Sequence, residues 1–283
     1  MQPSGMHRFV RKLNFCIVVV FLILVSIVVL YPIVYVLSAA FSPGTNIMTL
    51  NIAPFADGIT LEHFRFLFFE SNYPLWFRNT LIIAVLTSMG TIFFASMSAY
   101  VFSRFRFAFK KGLMLSMLVL QIFPAFVGMI AILIILWRMN LHDNIYGMVL
   151  VYLAGNVPFS TWMVKGYMDT ISRSLDEAAR MDGASHFRVF AQIILPISRP
   201  ILIFLGITTF VAPWMDFILP NLLLRSSENQ TLALGLFTFI LDDTRNEFTR
   251  FAAGAVTVAV PFIIVFAITQ KLLVASLGSG VKE

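Results

Sequence analysis

The chain has 283 residues, 59% of them hydrophobic and only 12% charged, with a formal net charge of +6 and a mean hydropathy of +0.88. These values exclude an ordinary soluble domain and point to an all-α protein that crosses a membrane several times. The single cysteine, Cys16, excludes an internal disulfide, and four scattered histidines without ligand spacing argue against a metal site.

A helix needs about 20 apolar residues to cross the hydrocarbon core, and runs free of Asp, Glu, Lys and Arg supply six such spans. The first covers residues 15–40. It exceeds the roughly 7–15 apolar residues of a signal peptide. Although Ser38-Ala39-Ala40 resembles a weak cleavage site, the segment is read as a retained span. An external loop follows over residues 41–78, with turn signals at Ser42-Pro43-Gly44 and Asp57-Gly58. Its aromatics from Phe64 to Phe69 are read as interfacial anchors.

The remaining spans are residues 80–102, 113–137, 145–164, 200–223 and 251–273. Small residues at Ala95-Ser96 with Ala99, and from Ala252 to Ala255, allow close helix packing. Pro124, Pro158, Pro213, Pro220 and Pro261 lie inside spans, as hinges of a gated pathway or as kinks of a static bundle. Asp216 interrupts the fifth span, about 25 Å from Arg199 at roughly 1.5 Å per residue. Two readings of it stand. With Trp214 and Asn221 it lines a pathway, an aromatic beside hydrogen-bonding groups being suited to sugar, or it is a partly hydrated interfacial acid.

Orientation follows from the basic residues. With both termini cytoplasmic, the inner segments hold 14 of the 20, including Arg8, Arg104, Lys110, Lys111, Lys165 and Arg180. The outer segments hold only Arg65, Arg78, Arg138, Arg225, Arg245 and Arg250. The net charge is thus an orientation signal. Nucleic-acid binding is a poor account of it, because the basic residues flank spans and form no groove.

The longest charged interval between spans, residues 165–199, falls on the cytoplasmic side. Ser174 with Glu177 three residues later predicts a capping box and a helix starting at Leu175. Asp176 and Arg180 are expected to pair on its exposed face, opposite the small apolar face of Leu175, Ala178 and Ala179. Gly183 is expected to stop the helix in the left-handed region, and Ser185 to cap a second short helix running through Phe190 to Leu195-Pro196. The product is a helix–Gly–helix knob with no role in spanning the bilayer, and so one that contacts something in the cytoplasm.

Glu177-Ala178-Ala179, then Gly183, then Ile193 and Leu195-Pro196 resemble the EAA motif of permease subunits of binding-protein-dependent ABC importers. Further matches run along the chain. Asn79 precedes the second span and Ala99-Tyr100, Phe102 and Arg104 end it. Gln121 to Pro124 lie in the third span, and Trp162 with Lys165-Gly166-Tyr167 close the fourth. Leu222 to Arg225, Thr231 to Gly235 and the terminal Gly280 to Glu283 complete the set. Together they resemble the second permease subunit of maltose/maltodextrin importers and their oligosaccharide-importing relatives.

The resemblance implies the type I importer fold, with a first helix, external loop and N-terminus over residues 1–75, a transmembrane core over 76–275 and a cytoplasmic tail over 276–283. It implies that Glu177, Ala178, Ala179, Asp182, Gly183, Ala184, Leu195 and Pro196 couple the chain to a cytoplasmic ABC ATPase dimer. It also makes Gly280, Val281 and Lys282 a candidate second contact with that ATPase, the plain alternative being a disordered terminus. The other implied partners are a homologous permease, an extracytoplasmic sugar-binding protein and an oligosaccharide, all at the bacterial plasma membrane.

No Gly-x-x-x-x-Gly-Lys phosphate loop, Gly-x-Ser-x-Gly or His-Glu-x-x-His motif occurs. No catalytic residue or bound cofactor is therefore expected, and ATP with Mg belongs on the partner ATPase. A self-contained secondary transporter would need intramembrane ionisable groups and repeats, and only Asp216 answers that description. A membrane-embedded enzyme lacks its nucleophiles.

Overall fold

A computed structural model of the chain describes residues 5–122, 125–241 and 246–278. The described residues are helical throughout their ordered elements, and the chain divides into two compact units.

The first unit comprises Met1–Glu70 and Thr238–Thr257. It begins with α1 (Gly5–Phe41) and includes α2 (Glu62–Phe69). From Leu13 to Leu30 the large apolar side chains of α1, half-buried Val19 apart, are exposed, as a lipid-facing helix requires. The loop after it is built on the two forecast turns, with Gly44 and Gly58 at φ +91° and +93°. Buried His63 contacts the Ser42 carbonyl at 2.9 Å, and Thr249 Oγ1 donates to the Gly44 carbonyl at 2.8 Å. The aromatic run divides between exposed and engaged rings. Phe69 is exposed, whereas Phe66 lies 3.6 Å beneath the Arg250 guanidinium, which also holds Glu247 at 2.6 Å.

The second unit comprises Ser71–Phe237 and Val258–Glu283. It contains α3 (Tyr73–Arg104), α4 (Lys110–Ile122), α5 (Ala125–Arg138) and α6 (Ile145–Asp169). Next come α7 (Arg173–Met181), α8 (His186–Val189), a π turn (Phe190–Ile194) and α9 (Leu195–Ile197). α10 (Arg199–Met215) and α11 (Ile218–Leu223) follow, while α12 (Leu232–Leu241) and α13 (Phe248–Gly278) each belong partly to this unit and partly to the first.

Helices α3, α6 and α10 form the packed centre of this unit. Ala95 and Ala99 are fully buried there, Gly90 faces Leu153, and Gly206 sits against Ile92 while its carbonyl accepts from Ser88 Oγ at 3.0 Å. Small residues bring the backbones close where no hydrophobic force from water drives association. At the opposite end, Asn79 Nδ2 donates to the carbonyls of Glu228 and Gln230, and the Trp76 ring covers Gly235. Two landmarks quoted separately from the sequence are therefore one contact.

Four described helical stretches are long and apolar enough to cross a membrane: Leu13–Phe41, Tyr73–Arg104, Ile145–Asp169 and Phe248–Gln270. Two bent pairs bring the number to six if each is one span. The pair Lys110–Ile122 with Val127–Arg138 is bent by 106° and His186–Ile197 with Arg199–Met215 by 75°. The third expected span is thus two helices; Pro124 lies outside the described residues. The fifth expected span ends early as well, because α10 stops at Met215 and Asp216 is extended (φ −83°, ψ 119°). Pro158 and Pro261 remain inside continuous helices.

Candidate functional site

The knob after α6 forms where the sequence indicates, but its first turn differs. Ser172, not Ser174, is the N-cap of α7: its Oγ accepts from Ser174 N at 3.3 Å. Ser174 already lies in the first helical turn, so it cannot serve as the non-helical cap that a box requires. The end of α7 matches the expectation in full. Gly183 has φ +82°, Gly183 N donates to Arg180 O, and Ala184 N donates to Ala179 O, each at 3.0 Å. That pair of bonds is a Schellman stop, in which only a residue tolerant of positive φ fits. Ser185 Oγ then accepts from Arg188 N at 3.3 Å and starts α8. Pro196 cannot donate to Gln192 and crowds its carbonyl, and the π turn accommodates that ring before the chain enters α10.

The motif residues sort into two groups. Ala179, Ala184, Ile193 and Leu195 pack on a core that includes Val164, Met168, Val189 and Ile194. Glu177, Ala178, Asp182 and Gly183 face outward, and Pro196 is half-buried. Leu175 and Met181 are also exposed, at 43% and 88%, so α7 presents an apolar ridge flanked by Glu177 and Arg180. Ser174 is bonded to Ser172, and no hydrogen bond joins it to the Glu177 side chain.

The expected Asp176–Arg180 pair is absent. Asp176 is turned inward, its side chain 12% exposed, and its carboxylate meets Arg104 Nε at 2.5 Å. This is a contact of charges at ion-pair distance without hydrogen-bond alignment, since neither Asp176 oxygen receives a hydrogen bond. The face of a short helix that turns inward is decided by what lies beneath it, and here a buried guanidinium does.

Arg104 is the residue that the sequence did not single out for the site. From the last turn of α3, its Nη1 donates to Met168 O and its Nη2 to Ile171 O, both at 3.1 Å. It thereby ties α3 to the end of α6, to the turn before α7 and to α7 itself. Its neighbours reinforce the joint. Ser103 Oγ donates to Asp169 at 2.7 Å, Lys165 pairs with Asp169, and Arg173 donates to the Ser103 carbonyl at 3.0 Å. Tyr100 OH donates to the His186 carbonyl at 3.2 Å. The signal available in the sequence was an arginine in the last turn of an apolar span, where the helix dipole favours a cation.

The structure does not unite the three expected pathway residues. Trp214 is buried among Phe77, Phe210 and Phe262. Asn221 is exposed on α11. Asp216 has its own local role: Oδ1 accepts from Leu219 N at 3.2 Å, capping α11, and Oδ2 accepts from Tyr152 OH at 2.8 Å. A cavity of about 640 Å³ opens beside it, bounded by Tyr152, Asn156 and aliphatic side chains of α5. Gly280, Val281 and Lys282 lie outside the described residues. No cluster of three His, Cys, Asp or Glu able to hold a metal occurs among the described residues.

Comparison with known proteins places these features in a wider set. The family described as "Binding-protein-dependent transport system inner membrane component" matches residues 91–278. The chain is 37% identical over 270 residues to the maltodextrin transport system permease protein MdxG of Bacillus subtilis (strain 168), covering 95% of this chain and 96% of that protein. It is 34% identical over 277 residues to the galactooligosaccharides transport system permease protein GanQ of the same organism, covering 97% and 96%. A crystal structure of a bacterial ABC transporter involved in import of the acidic polysaccharide alginate contains a chain with the same fold. Its TM-score is 0.77 at 24% identity, over 96% of this chain and 99% of that one.

Proposed function

This chain belongs to the family of binding-protein-dependent transport system inner membrane components, and we propose that it forms half of an importer's pathway for an oligosaccharide of the maltodextrin type. It is a permease subunit without catalytic residues of its own. A homologous permease supplies the other half of the pathway, and an extracytoplasmic binding protein delivers the sugar. ATP and Mg act on a separate cytoplasmic ABC ATPase dimer. Both termini face the cytoplasm, and Gly280, Val281 and Lys282 offer a second contact with that dimer.

The observation that carries this reading is the construction of α7. It is a short helix with an exposed apolar ridge at Leu175 and Met181, fastened by a buried ion pair to the end of α3, which the same arginine ties to the end of α6. A helix exposed for docking yet held rigidly at its base transmits force; a freely hinged loop would absorb it. When the ATPase dimer closes on α7, the displacement passes through Asp176 and Arg104 into α3 and α6. Asp216, whose contacts with Leu219 and Tyr152 account for its position, is left without a separate ion-coupling role, which disfavours a secondary transporter.

Co-purification tests the proposal. The chain expressed with the importer's ATPase should retain it through detergent extraction, and replacing Leu175 and Met181 by Ser should release it while the chain stays in the membrane. Retention of the ATPase by that double variant at wild-type stoichiometry would overturn the docking assignment.

A further inference from the structure

A second feature at the same end of the bundle shares only the Lys165–Asp169 pair with the coupling joint. Two adjoining recesses, of about 480 and 380 Å³, share Lys110 and Lys111. The larger is completed by Met114, Leu115, Trp162 and Lys165, and the smaller by Arg106, Phe107 and Phe109. Four cations thus converge where one carboxylate, Asp169, is at hand, and that carboxylate is already engaged by Lys165 and Ser103. Lys110 donates to the Phe105 carbonyl at 3.1 Å, which fixes its ammonium at the rim with protons to spare. Arg106 and Lys111 are exposed.

The apolar part of the groove continues away from the charges. Trp162 is pinned by donation from Nε1 to Met114 O at 2.9 Å, and it stays 38% exposed. Beyond it the exposed side chains Leu115 and Val119, one turn apart, share a face of α4. Phe109 is held at φ +64° with 85% of its surface exposed. A bulky side chain in the left-handed region is strained, and such strain concentrates at functional positions.

We propose that this groove between the first turn of α4 and the last turns of α6 binds an anionic phospholipid of the cytoplasmic leaflet. Lys110, Lys111 and Arg106 take the phosphate, Trp162 and Phe109 flank the glycerol region, and an acyl chain follows the exposed face of α4. Cationic groups above an apolar track match a lipid: a soluble phosphate has no use for the track, and a neutral lipid has none for the charges. The inference rests on the membrane orientation adopted above only in naming the leaflet. Lipid retention is measured without ATPase or sugar, so its failure and failure of the coupling reading remain distinguishable.

The test is native mass spectrometry of the delipidated full chain in detergent, offered dioleoyl-phosphatidylglycerol, dioleoyl-phosphatidylcholine or glycerol 3-phosphate. Phosphatidylglycerol should be retained at least about tenfold better than phosphatidylcholine, with no competition from glycerol 3-phosphate. A Lys110→Gln/Lys111→Gln double variant should lose about twenty-five-fold in phosphatidylglycerol retention, at roughly a factor of five for each surface charge removed. Arg65→Gln, an exposed charge on the first unit, should change nothing. Equal retention of the two lipids, effective competition by glycerol 3-phosphate, or a double variant with wild-type retention would each overturn the proposal.

Discussion

Replacing Arg104 with Met isolates the joint between α7 and the membrane helices. The methionine keeps most of the aliphatic stem, so packing at the end of α3 changes little, while the guanidinium is lost. Asp176 is then a buried carboxylate with no counter-charge, since neither of its oxygens has a hydrogen-bond donor to fall back on. Removing one partner of a buried ion pair costs about 3–5 kcal/mol. The carbonyls of Met168 and Ile171 lose their donor in the same step, which places the expected cost toward the upper end. Because α7 can swing out and hydrate Asp176 without unfolding the spans, the cost falls on the docked position of α7. At about 1.4 kcal/mol per tenfold, the docked population shifts by roughly two to three and a half powers of ten.

Hydrogen exchange in detergent reads this directly: amides from Leu175 to Ala184 should lose protection while those of α3 and α6 keep theirs. In a reconstituted importer, ATP hydrolysis should become uncoupled from sugar uptake. Adding Asp176→Leu to Arg104→Met removes the stranded charge and should recover much of the protection, since apolar replacement of a whole buried pair is often neutral. Unchanged exchange in the single variant, or a double variant no better than the single, would refute the reasoning.

Three more outcomes follow from the same geometry. Gly183→Val should strain the Schellman stop by about 1–3 kcal/mol and weaken ATPase association, whereas Gly183→Asn should cost much less; because a Cβ there meets nothing within 4 Å, the difference reports backbone alone. Glu177→Lys should lower ATPase association by about tenfold while Glu177→Gln lowers it little, and restoration by a matching reversal on the ATPase would establish contact. Asp143 supplies a pH test. Burial pushes its carboxyl up, but hydrogen bonds from Arg225 N, Ser226 N and neighbouring side chains outweigh burial and hold it below its ordinary value. The depressed group stabilises the clasp between the α5–α6 turn and the segment after α11 above the unfolded carboxyl pKa, about 4. That contribution disappears as pH falls through the lower folded value. Exchange at the Arg225 and Ser226 amides should accelerate over that acid range, and Asp143→Asn should abolish the pH dependence.

The spans were legible because long charge-free runs leave few alternatives in a bilayer, and Gly183 because a left-handed helix stop favours glycine. Three things were not legible, each for a physical reason. Helical periodicity puts Asp176 and Arg180 on one side of α7, but it does not say which side faces inward; that was decided by Arg104, 72 positions earlier (176 − 104). The cap shifted from Ser174 to Ser172 because two serines at this spacing both fit an N-cap, and the backbone selects the one left extended. Asp216 was recognised as exceptional, yet hydropathy reports only that a charge is costly, and its partners Leu219 N and Tyr152 OH emerge from tertiary structure. Trp214 and Asp216 take different partners because α10 ends between them, and their adjacency in sequence carries no sign of that break.

Arg104 addresses two of its three main partners through peptide carbonyls, at Met168 and Ile171. A contact written on the backbone leaves no trace in the identity of the contacted residue. Among relatives, positions 168 and 171 should therefore drift under packing constraint alone, while 104 and 176 change together or stay fixed. A covariation map would show one strong pair joining the end of a span to the loop below it, and nothing for the other two prongs of the same side chain. The anchorage of the loop would look half as firm in such a map as it is in the folded chain.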